Sequence, residues 1–271
     1  MEKIKLGDID FSKLKKCSIQ GTTSTMYKSD DKCIKILDKF TEEEKNNLYL
    51  KLLDMDGIKI DNVMMPIELI IQNGKLEGYT TENFKNSINI YDKFINPRYV
   101  NVKEILNALK KASLILREIH ENGIIVQDLS FDNILIDNTG NVKFIDIDAC
   151  NYNEHVTNII PLLLKRYMID NRNDCVIISK NTDRLSMLLA TFSLLYLMEV
   201  QRITKRKYMT LASNINTVEN LHDTYITLSS KKKKIGELEY LDEFIDENDD
   251  FIIDREKQYN VIEKVLVYFY K

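Results

Sequence analysis

The stretch from Gly123 to Asp146 constrains this chain more than any other. Ile134-Leu135-Ile136 and Val142-Lys143-Phe144-Ile145 are apolar and β-branched, and Asp137-Asn138-Thr139-Gly140-Asn141 between them is turn material. Together they predict a β-hairpin. A hairpin brings the residue before its first strand to the residue after its second. Asn133 and Asp146 hold those places, equidistant from the midpoint of the turn, so simple antiparallel pairing puts them at the same end. An amide oxygen and a carboxylate are hard ligands suited to Mg²⁺, which binds few protein oxygens and completes its shell with water and phosphate. Asp128, five residues before Asn133, adds a third oxygen ligand or a base at that end. Taken singly, each of the three reads as a turn cap. Their spacing around one apolar hairpin is what points to a site.

A long helix leads into this block. Ile105, Leu106, Leu109, Ala112, Ile115, Leu116 and Ile119 repeat at helical spacing over about 102–120, with Asn101 and Glu104 as an N-terminal cap and Gly123 just past the end. The first 85 residues read differently. Ser18 to Gly21, Met26 to Lys28, Cys33 to Leu37, Pro66 to Ile71 and Leu76 to Thr81 are short strands, with turns at Ser29–Lys32 and Asn73-Gly74. One helix interrupts them. Thr41 with Glu44 three residues on is a capping box, and Leu48, Leu52 and Leu53 form its apolar stripe. Beyond residue 180 the pattern is helical.

The 271 residues suffice for one large domain or two packed lobes, and 44% apolar with 30% charged residues is a globular composition. A net charge of −4 gives no reason to expect nucleic acid as a partner. Cys17, Cys33, Cys150 and Cys175 form no CxxC pair, which fits free thiols in a reducing cytoplasm. The N-terminus carries no apolar signal-peptide region. The run Leu185 to Met198 is too short to span a bilayer and suits a helix buried within protein, so no membrane is expected. Lys231 to Lys234 and the acidic stretch Glu237 to Glu256 read as solvated faces and loops.

Val126-Gln127-Asp128-Leu129-Ser130-Phe131-Asp132-Asn133, a hairpin, and then Asp146-Ile147-Asp148 resemble the protein-kinase superfamily, whose catalytic loop H-R-D-L-x-x-x-N precedes a hairpin and D-F-G. The resemblance implies an α+β bilobal fold, with a small β-rich lobe over 1–84 and a larger helical lobe over 85–271. It implies ATP and Mg²⁺ as cofactors, Asp128 as the catalytic aspartate, and Asn133 and Asp146 as magnesium ligands. Cys33-Ile34-Lys35 is similar to the V-A-I-K strand, which makes Lys35 the phosphate-pairing lysine, with Glu44 as its ion-pair partner and Glu43 as the rival. Ile19 to Lys28 aligns with the glycine-rich loop, Gly21 as the middle glycine and Ser24 in place of the third. Thr81-Glu82-Asn83-Phe84 resembles the hinge that meets adenine, and Asp183 the aspartate that braces the catalytic loop.

The departures shape the expected function. Val126 and Gln127 replace the usual His and Arg, Ser130 replaces a common lysine, and Asp148 replaces the glycine of D-F-G, as an added carboxylate near the metal or a turn cap. No Ala-Pro-Glu motif lies between Asp146 and Asp183. The first expectation is a Ser/Thr-type protein kinase. Ser130 and the missing motif fit a small hydroxylated acceptor, as in aminoglycoside- or choline-kinase-like enzymes. The depleted glycine loop fits a nucleotide-binding pseudokinase.

Overall fold

In the computed structural model, which describes residues 1–17, 24–95, 102–156 and 179–191 (the last without 181, 185, 188 and 189), the short alternating runs of the first third form one six-stranded sheet. Its strands are β1 (Glu2–Lys5), β2 (Lys15–Lys16), β3 (Thr25–Lys28), β4 (Lys32–Ile36), β5 (Glu68–Gln72) and β6 (Lys75–Glu82), in the order β1-β5-β6-β4-β3-β2. All neighbours are antiparallel except β1 and β5. The expected strands at Met26, Cys33, Pro66 and Leu76 are present with slightly shifted ends. The one at Ser18 to Gly21 lies outside the described residues. Strands β1 and β2 were not expected. Both are lysine-rich and half-buried at most, as suits edge strands that must not pair further.

Asn73 and Gly74 both take positive φ in the two-residue turn between β5 and β6, the conformation that matches the twist of a hairpin. Gly78 on β6 has a different reason. A Cβ there would stand 2.2 Å from the Lys35 carbonyl oxygen, so the approach of β6 to β4 requires glycine.

Helix α1 (Glu42–Asp54) opens with the expected capping box, and its Leu48 and Leu52 pack with Leu37, Leu69, Leu76 and Tyr79 against the sheet. A second, larger core lies beyond. It gathers Leu109, Ala112, Leu116 and Ile119 of α3 (Val102–Glu121), the anchors Phe94 and Phe131, and the hairpin residues Ile134, Ile136 and Phe144. Met187 and Ala190, from the run expected to be buried, pack into it. Two smaller sheets frame this core: β7 (Ser87–Asn89), β9 (Ile134–Asp137) and β10 (Val142–Phe144) in the order β10-β9-β7, and β8 (Ile124–Ile125) with β11 (Asn151–Tyr152). Helix α2 (Ile90–Ile95) follows β7. The segment after α1 docks on the hairpin, Phe144 N–H donating to Asn62 O at 2.9 Å and Met64 N–H to Phe144 O at 2.8 Å.

The C-terminal boundary of α3 is the expected one. Gly123 lies just past the helix with φ 78°. At the other end Asn101 is outside the described residues, and Glu104 is paired with Lys93 at 2.7 Å. The expected helices after 191, the lysine run and the acidic stretch are also outside the described residues. Among the described residues no helix is long and apolar enough to cross a membrane. The fold is mixed α/β with a sheet-rich N-terminal region.

The turn of the β9–β10 hairpin is organised by one carboxylate. Asp137 accepts from Thr139 N at 2.8 Å, Thr139 Oγ1 at 2.8 Å, Asn141 N at 2.9 Å and Asn141 Nδ2 at 2.9 Å. Its slight burial pushes the carboxyl up, but the hydrogen bonds from Asn141 and Thr139 outweigh that and lower it to about 2. A depressed carboxyl contributes stability above its unfolded value, near 4, and loses it as pH falls through the folded value. Asp137→Ala should therefore cost on the order of 1 kcal/mol at neutral pH, a modest figure because the carboxylate is well solvated. In urea titrations the gap between variant and wild type should narrow as pH falls from about 4 towards 2. A gap independent of pH would mean the carboxylate charge is not what holds the turn.

Candidate active site

The hairpin delivers Asn133 and Asp146 to one end, with a register one residue from that expected. Val142 pairs with Ile136 and Phe144 with Ile134, so Asn133 faces Ile145, whose N–H donates to Asn133 O at 3.0 Å. The cause is the odd-numbered turn, closed by Asp137 N–H on Asn141 O at 3.0 Å. Asp146, two residues past the end of β10, turns the chain through a left-handed conformation, φ 63° and ψ 38°.

The loop before the hairpin is fixed from beneath. Asp183, fully buried on a helical stretch at 182–184, accepts from Val126 N–H at 2.7 Å and Gln127 N–H at 2.9 Å, and lies 2.9 Å from His120 Nε2. The brace expected of Asp183 is thus in place, and His120 at the end of α3 is a third contact that no feature of the sequence announced. Gln127 is itself buried, with φ 65°. The loop then presents Asp128, half-buried, with no hydrogen bond to its carboxylate among the described residues. Burial raises its pKa. Asn133 Nδ2 donates to Asp128 O at 3.1 Å, so the amide nitrogen is spent on the loop and the harder oxygen remains for a cation. Ser130 Oγ accepts from Asp132 N–H at 3.2 Å and opens the short turn that seats Phe131 in the core.

Lys35 arrives from the sheet. Only 6% exposed, it pairs with Asp146 and donates to both oxygens of Asp148 at 2.9 and 3.0 Å. Its ammonium lies 5.8 Å from the centre of the Tyr79 ring. This corrects the assignment of Glu44. The Glu44 carboxylate is exposed and accepts from Thr41 N at 2.7 Å and Thr41 Oγ1 at 2.9 Å. A capping-box residue folds back over the first turn of its own helix, and from there it cannot serve a lysine in the middle of the sheet. Glu43, the rival, is exposed on the same turn. The partner is Asp148, expected only as an added carboxylate or a turn cap. The one signal for it was its separation of two residues from Asp146, which puts both carboxylates on one tight turn facing one buried cation.

The electrostatics follow from one cation among two carboxylates. Burial pulls Lys35 down, yet the charges of Asp148 and Asp146 outweigh it and hold Lys35 above its ordinary value. Burial raises the Asp148 carboxyl, but Lys35 and hydrogen bonding reverse this, and the net direction is down. Asp146 absorbs the imbalance. Burial and then the neighbouring Asp148 push it up to about 6, against the pull of Lys35. One negative charge is undercompensated, and it sits on the carboxylate that reaches solvent. A hard divalent cation fits that donor set, the Asp146 carboxylate and the Asn133 amide oxygen, because such a cation takes few protein oxygens and completes its shell with phosphate and water.

The other expected contacts divide. Gly21 lies outside the described residues. Ser24 precedes β3, and its fully buried hydroxyl has no hydrogen-bond partner among the described residues. Such an orphan costs about 1–3 kcal/mol, which a ligand oxygen could offset. Glu82 ends β6 with its carboxylate paired to Lys143 of β10, and Lys143 Nζ also lies 5.3 Å from the centre of the Phe84 ring. Asn83 binds back to the β3–β4 turn through Nδ2 to Ser29 O at 2.9 Å. Residues 82–84 thus link the large sheet to the hairpin. Elsewhere Asp54, Glu154 and His155 gather on the surface, with His155 Nε2 2.7 Å from Asp54. No family model matches the chain, and no curated protein matches it.

Proposed function

We propose that the chain is a kinase-fold phosphotransferase that moves the γ-phosphoryl group of Mg-ATP to a hydroxyl. One observation carries this reading: the buried Lys35 and the partly exposed Asp146, 111 positions apart, meet in an ion pair beside a loop that presents the Asp128 carboxylate, to which no described residue hydrogen-bonds. The order of the antiparallel strands around α1 and the Asp183 brace support the same reading, as do the two separate cores for a bilobal arrangement.

Phosphoryl transfer needs positioning and cover for negative charge more than covalent chemistry. Lys35 would neutralise phosphate oxygens. Asn133 and Asp146 would hold magnesium, which when bound neutralises charge on the phosphates. Asp128 orients the acceptor hydroxyl and takes its proton, assistance worth about 10²–10⁴ in rate. The acceptor in this reading is a serine or threonine hydroxyl of a protein. Ser130 favours a second reading, a small hydroxylated acceptor. Its hydroxyl is spent on capping the turn, where protein kinases commonly place a lysine near the γ-phosphate.

The deciding experiment incubates pure protein with Mg²⁺ and γ-labelled ATP, with and without a generic protein substrate. Label on protein supports the first reading, label on a small molecule the second, and label nowhere a nucleotide-binding pseudokinase. Mg-ATP at about one hundred times its Kd should stabilise the fold by about 2.7 kcal/mol. Asp146→Ala should abolish the magnesium dependence of that shift. Wild type with no thermal shift at millimolar Mg-ATP would sink the nucleotide-site reading.

A further inference from the structure

Helix α1 buries a charge where a leucine would have packed. Lys51 shares the inner face with Leu48 and Leu52 and is 3% exposed. Its ammonium donates to the Asp148 carbonyl at 2.6 Å and the Cys150 carbonyl at 2.7 Å, and among the described residues no carboxylate pairs with it directly. Taking an ammonium out of water costs several kcal/mol. Two short carbonyl contacts offset part of this, as does the nearby Asp148 charge. An apolar side chain would avoid the cost altogether, so the position of the charge calls for a reason.

The reason lies in what the two carbonyls bracket. Between Asp146 and Cys150 the chain makes one tight turn, Ile147–Ala149, closed by Cys150 N–H on Ile147 O at 3.1 Å. That turn sets the left-handed Asp146 and holds the Asp148 carboxylate against Lys35. The carbonyls of Asp148 and Cys150 leave its far side and converge on Lys51. One ammonium therefore pins the turn to α1 from behind while Lys35 pins it from the sheet.

We propose that Lys51 is a positioning residue for the phosphate and magnesium site, a clamp that couples helix α1 to the turn bearing Asp146 and Asp148. It does through a cation on two backbone carbonyls what a helix glutamate was expected to do through Lys35. The proposal rests on the nucleotide-site reading above. It has a conformational consequence. Any outward shift of α1 breaks both contacts and frees the turn, so the helix position and the metal-binding carboxylate change together.

The test compares wild type, Lys51→Met and Lys51→Arg as full chains, with two readouts. The first is hydrogen exchange of the amides of residues 147–150 without ligand. The second is Mg-ATP affinity, set against ATP affinity in EDTA. Loss of two charge-assisted contacts should speed exchange of the Cys150 amide about tenfold or more and weaken Mg-ATP binding about tenfold, with a smaller effect on metal-free ATP. Arginine, which keeps a cationic donor, should recover most of both. Unchanged exchange in Lys51→Met overturns the clamp. Faster exchange with unchanged Mg-ATP affinity overturns the positioning role. Wild type that binds no Mg-ATP sinks the nucleotide reading and this proposal with it, whereas wild-type binding that Lys51→Met retains sinks this proposal alone. Should Lys51→Met not fold, Lys51→Gln, which keeps an N–H donor without the charge, takes its place: faster exchange with weaker Mg-ATP binding supports the clamp, and wild-type values of either overturn it.

Discussion

Asp183→Ala should be the most damaging single change to the fold of the site, costing about 3–5 kcal/mol of stability. Asp183 is fully buried, and its two carboxylate oxygens serve three donors: Val126 N–H, Gln127 N–H and His120 Nε2. Removing it strands two backbone N–H groups and a histidine in the interior, and each such orphan carries its own desolvation cost. Against a usual total of about 5–15 kcal/mol, that is a large share. Asp183→Asn keeps one oxygen acceptor and should lose less. Urea unfolding of both variants measures the difference. The loop it braces carries Asp128, so any turnover should fall with it even where the protein stays folded. A cost under about 1 kcal/mol for the alanine variant would show that the brace is not holding the loop.

Asp128 and Asp146 should fail in different ways. Asp128→Asn keeps size and shape but cannot accept a proton. It should retain Mg-ATP affinity while phosphoryl transfer falls about 10²-fold or more. The absence of any hydrogen bond on the Asp128 carboxylate among the described residues predicts little structural penalty. Asp146→Asn removes the carboxylate proposed to hold magnesium and one of the two carboxylates facing Lys35, so nucleotide binding and transfer should weaken together. Autophosphorylation or slow ATP hydrolysis reports turnover without knowledge of the acceptor. If Asp128→Asn loses ATP binding as badly as Asp146→Asn, Asp128 is a metal or structural residue. If both variants turn over like wild type, the activity belongs to another site or a contaminant.

Much of the site's scaffold was legible because it is built from short-range rules. The hairpin follows from two apolar runs around Asp137–Asn141, and its one-residue register difference comes only from the parity of the turn. The α1 start follows from Thr41 and Glu44, and the same legibility misled. Glu44 satisfies its capping role so fully that it has no reach left for Lys35. Asp183 was found through its resemblance to a family position, whereas His120, adjacent to it in space, had no local signal.

What the sequence alone determined is where backbone geometry places groups along the chain: Asn133 and Asp146 at one hairpin end, Asp128 in the loop before it, Lys35 on a strand. What only the tertiary structure decided is which distant charges meet. Lys35 could have faced a helix carboxylate or the turn after Asp146, and no periodicity distinguishes them. The choice of Asp148, and of Lys51 behind it, is a charge balance struck where the sheet, α1 and the hairpin converge. In a buried site an ion is tolerated only beside its compensating partners. Those partners come from segments about one hundred residues apart, 113 positions for Lys35 and Asp148 and 97 for Lys51 and the Asp148 carbonyl, and packing alone brings them together.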